Sequence, residues 1–136
     1  MGRKIKVYWF PNCIGAKMDY FKPDEFKCKC GKCDGGKMND DFVFMLNKAR
    51  HLAQTAFVIT SGYRCESHNK AVGGKPDSSH LRGKAADIKF TSSAQSFRIV
   101  KALFDSGFNR IGYNQKHGFF HVDCDGSLPQ NVFFNY

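Results

Sequence analysis

Apolar residues recur at three- and four-residue steps over two stretches of this chain, and between them short apolar runs stop at glycine or serine. Phe42, Met45, Leu46, Ala49, Leu52 and Ala53 form the first stripe. Asn39 or Asp40 stands where a helix needs a side-chain cap. The spacing predicts a helix whose apolar face belongs to a core. Residues 57–60 predict a short buried strand, stopped by Ser61-Gly62. Residues 66–71 predict a short helix ending at Gly73-Gly74. Residues 75–84 are polar and rich in turn formers, so they predict a loop. Residues 85–90 predict a strand. Ser92 or Ser93 can cap a second helix carrying Phe97, Val100, Ala102, Leu103 and Phe104, which ends before Gly107. Residues 108–113 and 119–123 predict two strands paired across a loop. Nearer the start, residues 4–10 predict a strand before Pro11-Asn12, and residues 21–26 a turn into a cysteine cluster. This mixed order, with antiparallel pairing late in the chain, predicts an α+β fold: a small antiparallel sheet with flanking helices.

Composition sets the class. The 136 residues suit one domain, covering 1–136, and 42% hydrophobic with 15% aromatic residues is enough for a core of its own. No apolar run reaches the ~18 residues of a membrane span. The N-terminus starts basic but has no long apolar segment followed by a small-residue cleavage site, so no signal peptide is expected. The expectation is a monomer in the cytoplasm of the producing cell. Lys and Arg number 21 against 12 acids, a net charge of +9. Such an excess suits an anionic partner, either nucleic acid or an anionic cell-wall polymer. No helix-turn-helix, RNA-recognition or zinc-finger pattern supports nucleic acid.

Six cysteines stand at 13, 28, 30, 33, 65 and 124, and Cys28-Lys29-Cys30-Gly31-Lys32-Cys33 is dense. Free thiols, a disulfide and a small metal staple all fit that spacing, and a four-ligand metal site needs a fourth partner from elsewhere.

The chemistry concentrates in two segments, Ser79 to Asp87 and Phe120 to Asp123. They offer two imidazoles and at least one carboxylate, the ligand set of a hydrolytic zinc site that keeps one position for water. In a strand, residues i and i+2 share a face, so His121 and Asp123 point one way while Phe120 and Val122 point into the core. Singly, each of these residues is ordinarily structural. Together they fall on elements that can converge.

Ser61-Gly62-Tyr63-Arg64, His68-Asn69, Val72-Gly73-Gly74, Ser78 to Ile88 and Phe120-His121-Val122-Asp123 resemble the zinc peptidases of bacterial cell walls. That group comprises D-alanyl-D-alanine carboxypeptidases, vancomycin-resistance dipeptidases and phage L-alanyl-D-glutamate endolysins, and its fold is shared by the hedgehog signalling domain. The resemblance runs over about residues 21–125, leaving residues 1–20 as a leader. It implies a zinc metallopeptidase acting on peptidoglycan stem peptides, with His80, Asp87 and His121 as metal ligands. It implies that Arg64 pairs with a substrate carboxylate or stabilises an oxyanion. Ser79 is expected to bind a substrate carboxylate or to cap its loop. A phage-type lysin or a bacterial wall enzyme is the expected origin.

The chain departs from the group at one place. Many relatives carry a general base, commonly Glu, three residues before the distal His, and that position here is Gly118. Two residues before His121 stands Phe119, where some relatives have a second His. Asp123, on the ligand face of its strand, is the expected base or else orients a ligand, and His117 is the other candidate. A metal-holding module of the same fold without hydrolysis is the competing expectation.

Overall fold

Helix α1 spans Asp40–Ala53, and of the two candidate caps Asn39 is the one used: its Oδ1 accepts from the Phe42 N–H at 3.0 Å. Asp40 and Asp41 then fall in the first turn, where the helix dipole favours negative charge. The short helix α2 covers Glu66–Ala71. Helix α3 spans Ser93–Asp105 and is capped by Ser92, whose Oγ accepts from the Gln95 N–H at 3.1 Å. The protein is seen here in a computed structural model that describes residues 19–136. The strand expected at residues 4–10 and Cys13 lie outside the described residues.

Five strands make one sheet: β1 (Val58–Ser61), β2 (Ala85–Lys89), β3 (Arg110–Asn114), β4 (Phe119–Asp123) and β5 (Val132–Asn135). Their order is β1-β2-β4-β3-β5. Every pairing is antiparallel except that of β3 with β5, which is parallel. The fold is α+β, as the pattern predicts.

Alternation divides the sheet into two unlike faces. Ala86, Val122 and Ile111 lie side by side across β2, β4 and β3, and so do Ile88, Phe120 and Tyr113. Against this apolar face pack Phe42, Leu46 and Ala49 of α1 and Ile99, Ala102 and Leu103 of α3, all buried. Phe42 meets Phe108 edge-on at 5.7 Å between ring centres. Each large side chain removed from water in this way contributes roughly 1.5–3 kcal/mol before chain entropy is set against it. The opposite face carries Asp87, His121, Asp123 and Arg110.

Four expectations change. The strand at residues 57–60 runs instead over Val58–Ser61 and is half-exposed rather than buried, because β1 is an edge strand with Val58 turned to solvent. Leu52, Phe97 and Phe104 lie on the helical stripes but remain exposed, at the flanks of the buried arc. Within the 75–84 loop, Ser79–Arg82 winds into a single 3₁₀ turn. Strand β5 has no counterpart in the sequence reading; it closes the sheet beside β3, and its Phe133 meets Phe104 edge-on at 5.8 Å. No helix among the described residues is long and apolar enough to cross a membrane.

Candidate metal centre

Strand register brings the first two groups together. Asp87 of β2 is the direct cross-strand partner of His121 of β4, and such neighbours have Cβ atoms about 5 Å apart. One step along, Asp123 stands between Ala85 and Arg110. His80 comes from the 3₁₀ turn, where the Ser78 Oγ accepts from the His80 N–H at 3.3 Å. Ser78, not Ser79, therefore caps this turn. Gly83 ends it with φ +66, and a Cβ there would lie 2.3 Å from the Lys37 carbonyl oxygen. Only glycine meets both conditions.

One ligand atom each from His80, Asp87 and His121 lies within 4.8 Å of the other two, and all three residues are buried. Asp87 Oδ1 is 3.3 Å from His80 Nε2 and 3.2 Å from His121 Nδ1. The two imidazoles stand edge-on, 5.1 Å between centres. Each histidine is held by its other nitrogen. His80 Nδ1 is 2.7 Å from the Gly62 carbonyl oxygen, to which it donates. His121 Nε2 is 2.8 Å from Asp123 Oδ2. These contacts leave His80 Nε2 and His121 Nδ1 turned towards Asp87. His80 Nε2 is fully buried and has no hydrogen-bond partner, an arrangement that disfavours a purely structural imidazole.

Around this trio the polar groups are mutually committed. Arg64 donates from Nη2 to Asp87 Oδ2 at 3.2 Å, from Nε to Ser61 Oγ at 2.9 Å and from Nη1 to Asn69 Oδ1 at 3.4 Å. Asp123 is fully buried, and Arg110 Nε reaches its two oxygens at 3.0 and 3.2 Å. Its Oδ1 also accepts from the Asp125 N–H. Ser79 is buried, and its Oγ has no hydrogen-bond partner. His117 sits exposed in the β3–β4 turn and is not one of the residues gathered at the trio. Gly118, in the same turn, has φ +69. A glutamate at that position would carry backbone strain, which accounts for glycine there in this chain.

Tyr136 went unread in the sequence. Its ring stacks on His121 at 4.5 Å and 11°. Gly112, the β3 neighbour of His121, makes the room: a Cβ there would lie 2.9 Å from both Phe134 and Tyr136. The phenol pKa is raised, first by burial and then by the nearby Asp87 charge, with Arg64 acting in the opposite sense. No sequence signal marks Tyr136, because its place depends on the unread strand β5.

The electrostatics match a cation site. Burial works against the charge on Asp87, yet the His121 contact and the adjacent His80 ring outweigh it and hold the carboxyl well below the usual range. Burial likewise opposes charge on His121, but Asp123 and Asp87 raise its pKa. Two carboxylates thus favour positive charge at His121, and a bound metal ion would supply that charge instead.

A family model described as Peptidase M15 matches residues 19–123. The chain belongs to the M15 peptidases. No curated relative matches it. M15 enzymes are zinc-dependent hydrolases, and the residues present fit such an ion. The donor set is two neutral-capable imidazoles and one carboxylate, and a buried ring nitrogen lacks any other partner. Backbone and carboxylate contacts on the far nitrogens fix both tautomers, as is usual for metal-bound histidine.

Proposed function

We propose that this M15 chain is a zinc metallopeptidase that cleaves peptidoglycan stem peptides, either as an endolysin-like endopeptidase or as a D-Ala-D-Ala carboxypeptidase. One observation carries the reading: His80 Nε2, Asp87 and His121 Nδ1 converge in a buried cluster whose outer nitrogens are already tied down. Zinc held there supplies an activated water and a Lewis acid for the amide carbonyl.

The chain's own residues do the positioning. Gly62 and Asp123 orient the two imidazoles, and Arg64 fixes the second oxygen of Asp87. Asp123 serves in this reading as an orienting group rather than as the base, because Arg110 and His121 occupy its oxygens and it is fully buried. His117 remains the candidate for proton transfer among the residues singled out from the sequence. Arg64 is the group that would pair with a stem-peptide carboxylate, and doing so requires it to exchange one of its present contacts to Ser61, Asn69 or Asp87. Ser79 is too buried to touch substrate without movement of its turn. The net charge of +9 draws the chain to an anionic wall. A phage-type lysin or a bacterial wall enzyme fits these features.

A second reading, a metal-holding module without hydrolysis, is favoured by the same two facts, the commitment of Asp123 and the glycine at 118. Digestion of purified peptidoglycan followed by mass spectrometry separates the two. Hydrolysis predicts new peptide termini that vanish with a chelator and return with zinc. Retained zinc with no cleavage of any stem peptide would establish the binding module.

A further inference from the structure

Four cysteines gather at a second cluster, which includes Cys65, the residue after Arg64. The sulfurs of Cys28, Cys30, Cys33 and Cys65 all lie within 4.8 Å of one another. None is joined in a disulfide. We propose that these four thiolates bind one structural zinc ion, distinct from the ion at His80, Asp87 and His121.

Spacing and backbone both support it. Cys30-Gly31-Lys32-Cys33 is a Cys-x-x-Cys turn, with Gly31 at φ +71 and the two sulfurs close to each other. Zinc–sulfur bonds of about 2.3 Å in a tetrahedron need sulfurs about 3.8 Å apart, so small side-chain movements close the site. Four backbone amides aim at the sulfurs. The N–H groups of Lys32 and Cys33 donate to Cys30 Sγ at 3.3 and 3.2 Å. The Gly35 N–H donates to Cys33 Sγ at 3.3 Å, and the Cys65 N–H to Cys28 Sγ at 3.3 Å. Amides directed at sulfur stabilise thiolate charge, which a disulfide sulfur does not carry. Lys32 and Lys70 line the hollow beside Cys30, Cys33 and Cys65. They offset the net negative charge of a zinc held by four thiolates. An all-sulfur tetrahedral set with no other donor type selects zinc or iron among common metals, and full occupation by protein sulfur leaves a closed, structural site.

The site has mechanical consequences. It joins the 28–35 loop to Cys65, the residue after Arg64. The same two segments are otherwise linked by Tyr63 N–H to Phe26 O at 2.8 Å and Lys29 Nζ to Thr60 O at 2.6 Å. Through them run the Gly62 carbonyl on His80 and the Arg64 guanidinium on Asp87. The staple thus braces one wall of the peptidase centre without touching it.

The test is metal analysis of the full chain purified under reducing conditions, with zinc X-ray absorption on the same sample. The proposal expects two zinc ions per chain and a zinc–sulfur shell at about 2.3 Å beside a zinc–nitrogen/oxygen shell. Cobalt substitution should add a sulfur-to-cobalt charge-transfer band that loses intensity in C33S. The H80A/H121A chain should retain one zinc with a sulfur-only shell. One zinc bound by sulfur alone in the wild type would uphold this proposal and count against the peptidase centre. A wild-type chain with no zinc–sulfur shell, or peptide mapping that joins these cysteines in disulfides, would overturn it. Neither result depends on Cys33→Ser folding.

Discussion

The two nitrogens of His121 have different partners, and much of the site's behaviour follows from that. Nδ1 faces Asp87 and Nε2 faces Asp123. Sequence alternation places His121 and Asp123 on one face, but it cannot say which nitrogen Asp123 meets, nor that Arg110 of another strand neutralises it. Loss of such an orienting carboxylate ordinarily costs 10–100-fold in metal affinity. Asp123→Asn should therefore weaken zinc binding by about that factor in a competition titration with a coloured chelator. Unchanged affinity with lost turnover would return Asp123 to the role of base. Asp125 gives a pH prediction. Burial opposes its charge, but Ser127 and Arg82 together lower its pKa from 3.8 to about 2. Between those values the unfolded chain binds more protons than the folded one, so stability falls as the pH falls. The contribution is complete above about pH 4 and lost on the way to pH 2. Asp125→Asn should lower Tm at pH 7 by the equivalent of roughly 1–3 kcal/mol, and the gap from wild type should narrow below pH 4. A constant gap across that range would contradict the ion-pair account.

Helices and strands explain which parts of the site could be read in advance. The stripe of α1, the cap of α3 and the hairpin of β3 and β4 are local patterns, and local patterns are legible in sequence. Edge position is not local: residues 57–60 look like a buried strand until the sheet order puts β1 outermost. Strand β5 escaped for a related reason. Its parallel partner β3 is separated from it along the chain by the whole of β4, and the run Val132-Phe133-Phe134 does not alternate apolar with polar residues. Tyr136 was lost with it. The corner between β1 and α2 carries a prediction at this scale. A Cβ on Gly62 would lie 2.6 Å from the Cα and carbonyl oxygen of Phe26. Backbone atoms cannot yield as a flexible side chain can, so Gly62→Ala must displace the carbonyl that holds His80. Both Tm and zinc affinity should fall in this variant. A fall in Tm with unchanged zinc affinity would show that the Gly62 carbonyl does not orient His80.

At the scale of the whole molecule, one sheet separates two kinds of chemistry. Its apolar face holds α1 and α3; its polar face holds Asp87 and His121, and alternation within the same strands builds both. Core damage should therefore leave the centre's geometry intact while lowering stability. Leu46→Ala, at a fully buried position of α1, should cost about 2–5 kcal/mol in urea unfolding without altering the spectrum of a cobalt-substituted metal centre. A changed spectrum would mean that the two faces are coupled. The candidate trio of His80, Asp87 and His121 could be singled out because the two short motifs containing it are local. The hydrogen bonds that orient it became visible only once the strands were in register. The most direct measurement of the central claim is an anomalous-scattering map at the zinc edge from crystals of the zinc-loaded chain. The account predicts a peak bonded to His80 Nε2, an Asp87 carboxylate oxygen and His121 Nδ1. No peak among these three residues, or zinc held by His121 through Nε2, would contradict it.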